Sequence, residues 1–273
     1  ATTGKAAQNL GKDVVTIHTL LGYGPKGFSK RNLNCDVLAL DEASMLDWRT
    51  LYAVLQSSPR IIFTGDPEQL PPCEGENVFR MMTEMLPTVK LEKPWRFTRG
   101  YNVEIIEKES EKKIFVELSK LINKLKYNKF QVITPIHNGL LGTIYLNKYL
   151  QNVCNPQEVH PCGLKVGDRV IVQENIYSES GRLIAANGTT GVVDEFRKIG
   201  DAVWCMFQKD SGERVLLERK FLSPGYALTV HKFQGSEIDY VIFVIPNRKN
   251  IREGFISEEM VRVGKTRGRI KTY

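Results

Sequence analysis

Long apolar runs are missing from this 273-residue sequence. None approaches the roughly 18 consecutive apolar residues that a membrane-spanning helix needs, and no signal peptide opens the chain, so no membrane association is expected. Paired cysteines are missing too. Cys35, Cys73, Cys154, Cys162 and Cys205 are odd in number and follow no paired spacing. That argues against a disulfide framework or a cysteine-rich zinc site, and for free thiols in a reducing, intracellular compartment. There is no internal repeat and no low-complexity tract. What is present suits a soluble globular chain long enough for two domains: 42% of residues are hydrophobic and 25% charged. The 38 basic residues outnumber the 31 acidic ones, for a net charge of +7. That excess is compatible with a polyanionic partner without requiring one.

Four short segments are apolar throughout instead of alternating, the pattern of parallel strands buried on both faces. They are Val37–Leu40, Ile61–Phe63, Val132–Ile133 and Tyr240–Val244. Three run straight into polar or turn residues, at Asp41-Glu42, Thr64-Gly65-Asp66 and Thr134-Pro135. In open α/β sheets, ligands collect at the carboxyl ends of strands, so chemistry is expected there. Helical spacing of apolar residues predicts helices over Thr50–Gln56 and Ile114–Leu125. Residues 164–222 differ. Asp168–Gln173, Gly191–Phe196, Ala202–Gln208 and Glu213–Leu217 are Val-rich strand candidates punctuated by Asn187-Gly188 and Asp210-Ser211-Gly212. The expected architecture is therefore α/β with a small all-β module inserted. The connections at 99–113 and 155–162 look short for the elements they join.

Asp41-Glu42-Ala43-Ser44 closes the first strand. An Asp at a strand end can hold Mg²⁺, and a neighbouring Glu can orient and deprotonate an attacking water. An acidic helix N-cap explains the same residues equally well. Gly65-Asp66-Pro67-Glu68-Gln69-Leu70-Pro71-Pro72 closes the second strand as a proline-rich turn, and a Gln held there could sense a terminal phosphate. His231-Lys232-Phe233-Gln234-Gly235-Ser236-Glu237 precedes the strand at Tyr240. Ser257-Glu258-Glu259 begins a capped helix expected to carry Thr266 and Arg267 at its end. An arginine presented to a γ-phosphate stabilises phosphoryl transfer, although a lone arginine is more often a surface residue.

The ordered set resembles helicase superfamily 1, and within it the RecD/Dda-like branch. It runs through Ala1-Thr2-Thr3-Gly4-Lys5-Ala6-Ala7, Thr16-Ile17-His18-Thr19-Leu20-Leu21, Asp41-Glu42-Ala43-Ser44-Met45 and Gly65-Asp66…Gln69-Leu70-Pro71-Pro72. It continues with Trp95-Arg96-Phe97, Thr134-Pro135…Gly139…Gly142…Leu146-Asn147, Gly167-Asp168-Arg169-Val170, Tyr226–Glu237 and Val261…Thr266-Arg267. The resemblance implies two RecA-like parallel-sheet domains, with ATP at their interface and a single strand crossing their tops. Residues 1–98 would form the first domain, residues 99–163 and 223–273 the second, and 164–222 a small β-barrel inserted in the second. It also implies that Asp41 binds Mg²⁺ and that Glu42 is the catalytic base. Gln69, Arg96 and Arg267 would contact the γ-phosphate, with Gly235 and Glu237 near the nucleotide. Thr2, Thr3, His18, Thr134, Thr229 and His231 would line the path of the strand. Neutral hydroxyl and imidazole donors suit a track whose contacts must break easily.

One departure stands out. Gly4-Lys5-Ala6 is not a phosphate-binding loop, which needs G-x-x-x-x-G-K-[ST]. The family's loop is expected upstream of Ala1, and without it the segment should bind ATP poorly. Between Leu21 and Val37, the run Gly22-Tyr23-Gly24-Pro25-Lys26-Gly27-Phe28-Ser29-Lys30-Arg31 predicts an exposed hairpin near 22–31. Phe28 there is either a ring tucked onto the domain or the tip of a strand-separation pin, which members of this branch carry at that place. The resemblance thus implies an ATP- and Mg²⁺-dependent helicase moving 5′→3′ on single-stranded DNA and opening a duplex junction. RNA is not excluded by these residues. A helicase of opposite polarity and a nucleic-acid-binding scaffold without ATPase activity are the alternatives; Glu42, Gln69 and Arg267 together argue against the scaffold.

Overall fold

The computed structural model describes all residues except 12, 30–31, 58–59, 73–76, 92–101, 126–128, 180–182 and 248–254, and the side chains of 5, 8 and 9. The chain divides into two compact units, 1–100 and 101–273. Among the described residues no helix is long and apolar enough to cross a membrane.

In the first unit, helix α1 (Gly4–Leu10) and the single turn α2 (Ile17–Leu20) lead into a hairpin of β1 (Tyr23–Gly24) and β2 (Gly27–Phe28). Strands β3 (Leu38–Leu40) and β4 (Ile61–Phe63) pair in parallel, with Leu40 opposite Phe63. Helix α3 (Trp48–Leu55) connects them and starts where Asp47 accepts a hydrogen bond from the Thr50 amide at 2.6 Å. Helix α4 (Val78–Met85) follows, capped by Asn77 in the same way. Ile17, Leu21, Leu40, Ala43, Leu46, Val54 and Phe79 form the core of the unit. The two strands are not buried on both faces as the apolar runs predict: Ala39 is exposed and Ile62 is 55% exposed. Only one face of this two-stranded ladder meets the core.

The second unit is built on a four-stranded, all-parallel sheet. Its members are β5 (Phe130–Thr134), β13 (Ala227–Thr229), β14 (Ile238–Phe243) and β15 (Gly268–Thr272), in the order β13-β5-β14-β15. Helices α5 (Glu111–Leu125) and α6 (Thr143–Cys154) bury Leu118, Leu121, Ile122, Leu125, Leu146 and Leu150 against Val132 and Ile242. Val132, Ile133, Val241, Ile242 and Val244 are buried here, as a continuous apolar run predicts, while Tyr240 and Phe243 are half-buried.

Between α6 and β13 lies the β-rich segment. Strands β6 (Arg169–Val172), β9 (Thr190–Ile199), β10 (Ala202–Lys209), β11 (Arg214–Glu218) and β12 (Leu222–Pro224) form an antiparallel sheet in the order β11-β10-β9-β6-β12. The hairpin of β7 (Ile176–Tyr177) and β8 (Leu183–Ala185) stands beside it. Among the described strands no ladder joins β11 to β12, so the pairing is that of an open sheet. Its own core contains Val170, Val172, Val193, Cys205, Phe207 and Leu217.

A buried carboxylate ties this segment to the parallel sheet. Asp168 is fully buried and accepts hydrogen bonds from Asn155 Nδ2 (2.9 Å), the Lys165 amide (2.7 Å), the Tyr226 hydroxyl (2.9 Å) and Gln151 Nε2. A buried charge persists only when its lone pairs are satisfied, and here four donors do so. Burial, with Asp168 next, raises the Tyr226 phenol above its ordinary value. Asn155 also donates to the Val166 carbonyl, so the start of the 155–162 connection is anchored to this cluster.

Candidate nucleotide and nucleic-acid sites

Strand β3 delivers Asp41 and Glu42, and β4 delivers Thr64, Gly65 and Asp66, to the same edge. Thr64 Oγ1 donates to Asp41 Oδ1 at 2.6 Å, which orients the carboxylate. The Thr64 amide donates to the Leu40 carbonyl and the Ala43 amide to the Thr64 carbonyl, both at 2.9 Å, carrying the ladder past the strand ends. Glu42 is the one described non-glycine residue with positive φ, at φ 55° and ψ 40°. Holding a non-glycine residue there costs about 1 kcal/mol or more, so the surroundings must enforce it. They do. The Thr2 hydroxyl donates to the Glu42 carbonyl at 2.9 Å, the Met45 amide to the same carbonyl at 3.1 Å, and the Thr2 amide to the Asp41 carbonyl at 3.3 Å. A β-carbon on Gly65 would sit 3.1 Å from the Ala43 and Ser44 amide nitrogens and from Phe79, so glycine permits this approach.

Gln69 is half-buried in a turn knotted by Asp66, whose carboxylate accepts from the Glu68 amide at 2.9 Å and whose carbonyl accepts from the Gln69 amide at 3.0 Å. Asn77 Nδ2 donates to the Pro67 carbonyl, and Leu70 is 2% exposed beneath. Thr3 is the N-cap of α1, its hydroxyl accepting from the Ala6 amide at 3.2 Å. His18 is half-buried in α2, its ring 5.1 Å from Tyr23 and 5.7 Å from Phe28. Burial lowers its pKa below the ordinary 6.5, with Asp47 opposing. Phe28 does not stand at the hairpin tip. Pro25 and Lys26 do, while Phe28 is half-buried at the base and packs on the core of the unit. Arg96 lies outside the described residues.

In the second unit β5 and β13 place Thr134 opposite Thr229. Thr134 is fully buried and its hydroxyl donates to the Leu141 carbonyl at 2.8 Å, so this side chain shapes the 135–142 loop and does not line an open track. A β-carbon on Gly142 would lie 2.4 Å from the carbonyl oxygens of His137 and Asn138, which makes glycine necessary for that loop to fold onto α6. Thr229 caps the short helix α7 (Val230–Phe233), accepting from the Lys232 amide at 3.2 Å. His231 is half-buried; burial, and then the neighbouring His137, lower its pKa. His137 is itself exposed and shares a 3.0 Å hydrogen bond with Thr143 Oγ1. Lys232 Nζ donates to Gln173 Oε1 at 2.6 Å, linking α7 to the β-rich segment.

Gly235 turns the chain at φ 72°, and exposed Glu237 follows immediately before β14. Helix α8 (Glu258–Lys265) starts at its Ser257 cap but stops before Arg267, because Thr266 closes it and the chain enters β15. The predicted helical placement of Arg267 is thereby corrected. Its backbone carbonyl accepts from the Ile238 amide at 3.2 Å, and its guanidinium donates to the Val263 carbonyl and Thr266 Oγ1. Parallel pairing of β14 with β15, Ile238 opposite Gly268, therefore sets Arg267 beside Glu237. Both lie at the amino ends of strands, not at the carboxyl ends where Thr134 and Thr229 stand.

Thus Asp41, Glu42, Thr2 and Thr64 form one cluster, His18 packs against Phe28, His137 acts electrostatically on His231, and Glu237 and Arg267 stand at the entries of paired strands. Two of these residues, Thr64 and His137, were not singled out from sequence as site residues. Each stands at or just past the end of an apolar strand run, the signal that could have found it.

A family model described as an AAA domain matches residues 1–120, and one described as a UvrD-like helicase C-terminal domain matches 224–253. The ATP-dependent RecD2 DNA helicase of Deinococcus radiodurans is 30% identical over 90% of this chain and 38% of its own length. The RecBCD enzyme subunit RecD of Buchnera aphidicola is 22% identical over 94% of this chain and 57% of its own. The chain thus spans between about two fifths and three fifths of the length of these curated relatives. A Bacteroides Pif1 helicase solved with ADP-AlF3 and single-stranded DNA shares the fold, with a TM-score of 0.52, 18% identity, and coverage of 99% of this chain and 80% of that one.

Proposed function

We propose that the chain is a RecD-like member of helicase superfamily 1 and forms the motor of an ATP-dependent helicase. The motor moves 5′→3′ along single-stranded DNA and opens duplex ahead of it. The observation that carries this proposal is Glu42, a carboxylate beside a strand-end Asp, held in a left-handed backbone by partners from Thr2 and Met45. Strain of that kind persists where a side chain must be aimed. Glu42 orients the attacking water and takes its proton, while Thr64 fixes the Asp41 carboxylate beside it.

Asp41 would hold Mg²⁺. Among the described residues no group of three or more His, Cys, Asp or Glu side chains forms a metal cage. In phosphoryl-transfer sites Mg²⁺ is bound by one or two carboxylates together with the substrate phosphates, so a single strand-end Asp fits. When bound, Mg²⁺ neutralises charge on the phosphates. Gln69 and Arg267 contact the γ-phosphate, with Gly235 and Glu237 near the nucleotide. Thr2, Thr3, His18, Thr229 and His231 serve the strand path, the threonines by shaping the backbone there. Closure of the β-rich segment into a small barrel belongs to the same proposal.

The test is Glu42→Gln in the full-length protein. The amide keeps shape and hydrogen bonding but cannot accept the proton, so ATP turnover falls roughly 10²-fold or more. ATP-dependent strand binding is retained. Turnover close to the parent's would remove Glu42 as the base.

A further inference from the structure

A lysine crosses the junction between the parallel sheet and the β-rich segment. Lys232 Nζ donates to Gln173 Oε1 at 2.6 Å, a contact between residues 59 positions apart. Both residues are fixed at their backbones. The Lys232 amide donates to Thr229 Oγ1 at 3.2 Å within α7, whose Val230 and Phe233 are buried. Gln173 follows directly on β6, is half-buried, and donates its amide to the Phe221 carbonyl at 3.0 Å. Thr229 lies opposite Thr134 at the carboxyl ends of β13 and β5. Lys232 therefore stands on the strand-end side of the sheet, one residue past His231.

The chemistry of this contact differs from that of a structural tie. Lys165 and Lys209, which serve structure nearby, are 3% and 7% exposed, and Lys209 meets the Glu213 carboxylate at 2.7 Å. Lys232 is an exposed residue whose ammonium is still partly shielded from water, and that burial holds its pKa below the ordinary 10.5. Among the described residues no carboxylate pairs with it; its partner is a neutral amide oxygen. A carboxamide directs an ammonium without cancelling its charge, and one acceptor leaves two of the three N–H donors for an anion. Docking a phosphate onto a lysine costs much of the freedom of its four-carbon stem. Gln173 has already removed part of that freedom.

We propose that Gln173 is a positioning residue: it holds the Lys232 ammonium in place as a contact for a phosphate of the single strand, so the β-rich segment sets one grip point of the motor. This rests on the single-strand-binding function proposed above. The test measures oligothymidylate affinity of the full-length protein at several salt concentrations. Lys232→Gln should weaken binding roughly fivefold at low salt and make the logarithmic salt slope shallower by about 0.7, the share of one phosphate. Gln173→Leu, which removes the acceptor, should weaken binding roughly threefold in the parent and not at all in the Lys232→Gln background, as coupled residues do. Gln173→Glu should keep the parent's melting temperature yet weaken binding and flatten the slope, because it neutralises the ammonium that it holds. An unchanged slope in Lys232→Gln overturns the assignment. So does a Gln173→Leu loss that persists in full without Lys232, which would make Gln173 a packing residue, and so does parent-like binding by Gln173→Glu. If the parent protein binds no single strand, the helicase function itself falls and this assignment with it.

Discussion

Glu42 shows how neighbours can enforce a costly backbone conformation at a strand end. Its left-handed φ is compensated by hydrogen bonds to its backbone carbonyl from Thr2, 40 positions upstream, and Met45, three downstream, so the backbone at this strand end is fixed. The histidines are set in another way. Burial lowers the pKa of His18 and His231 below the ordinary 6.5; Asp47 opposes the shift at His18, and His137 adds to it at His231. The unfolded chain therefore takes up protons first as pH falls, and the folded state loses stability on acidification. The contribution is fully present above about pH 6.5 and is lost as pH falls towards the lowered folded values. Replacing both with glutamine should flatten the acid side of the melting temperature against pH between about pH 7 and 5. An acid limb identical to the parent's would place the sensitivity in other groups.

At the scale of elements, short helices begin on threonine. Thr3, Thr16 and Thr229 cap α1, α2 and α7, each hydroxyl accepting from an amide three residues on. Such caps stabilise a helix by about 1 kcal/mol, and these helices are too short to persist unaided. The hydroxyls that the family resemblance assigns to the strand path thus already have structural partners. Helix α8 depends on a glycine for a different reason. A β-carbon on Gly264 would lie 2.3 Å from the Phe243 ring, so the helix rests directly on β14. Gly264→Ala should destabilise the fold by about 1–3 kcal/mol through overpacking. Adding Phe243→Leu should recover part of that loss. Both stabilities can be read from denaturant unfolding, and additive losses in the double variant would show that the two residues do not share this contact.

Over the whole molecule, the excess of positive charge is the property that reaches furthest. With a net charge of +7, contacts to a polyanion release condensed counterions. Single-strand affinity of the full-length protein should therefore fall with salt, with a logarithmic slope of about −0.7 for each phosphate neutralised. Titrations at several salt concentrations give that slope, and a flat response would count against a translocation track. The charge sits on two compact units that differ in design: one has a two-stranded parallel ladder open on one face, the other a four-stranded sheet with a β-rich segment anchored at Asp168.

Local chemistry determined much of this. The apolar runs at 37–40, 61–63, 132–133 and 240–244, the cap at Ser257, the turns at Asn187-Gly188 and Asp210-Ser211-Gly212, and the order of the motifs are all legible along the chain, because each depends on neighbours within a few residues. Strands β13 and β15 were not legible; one is three residues long, the other starts with Gly-Arg, and parallel partners supply their hydrogen bonds. Only tertiary structure decided that Phe28 packs inward while Tyr23 faces out, that Thr134 is sealed under Leu141, and that Arg267 leaves its helix to lie beside Glu237. Each of those outcomes turns on which distant segment covers or pairs with the residue, and nothing within a few positions of it carries that information.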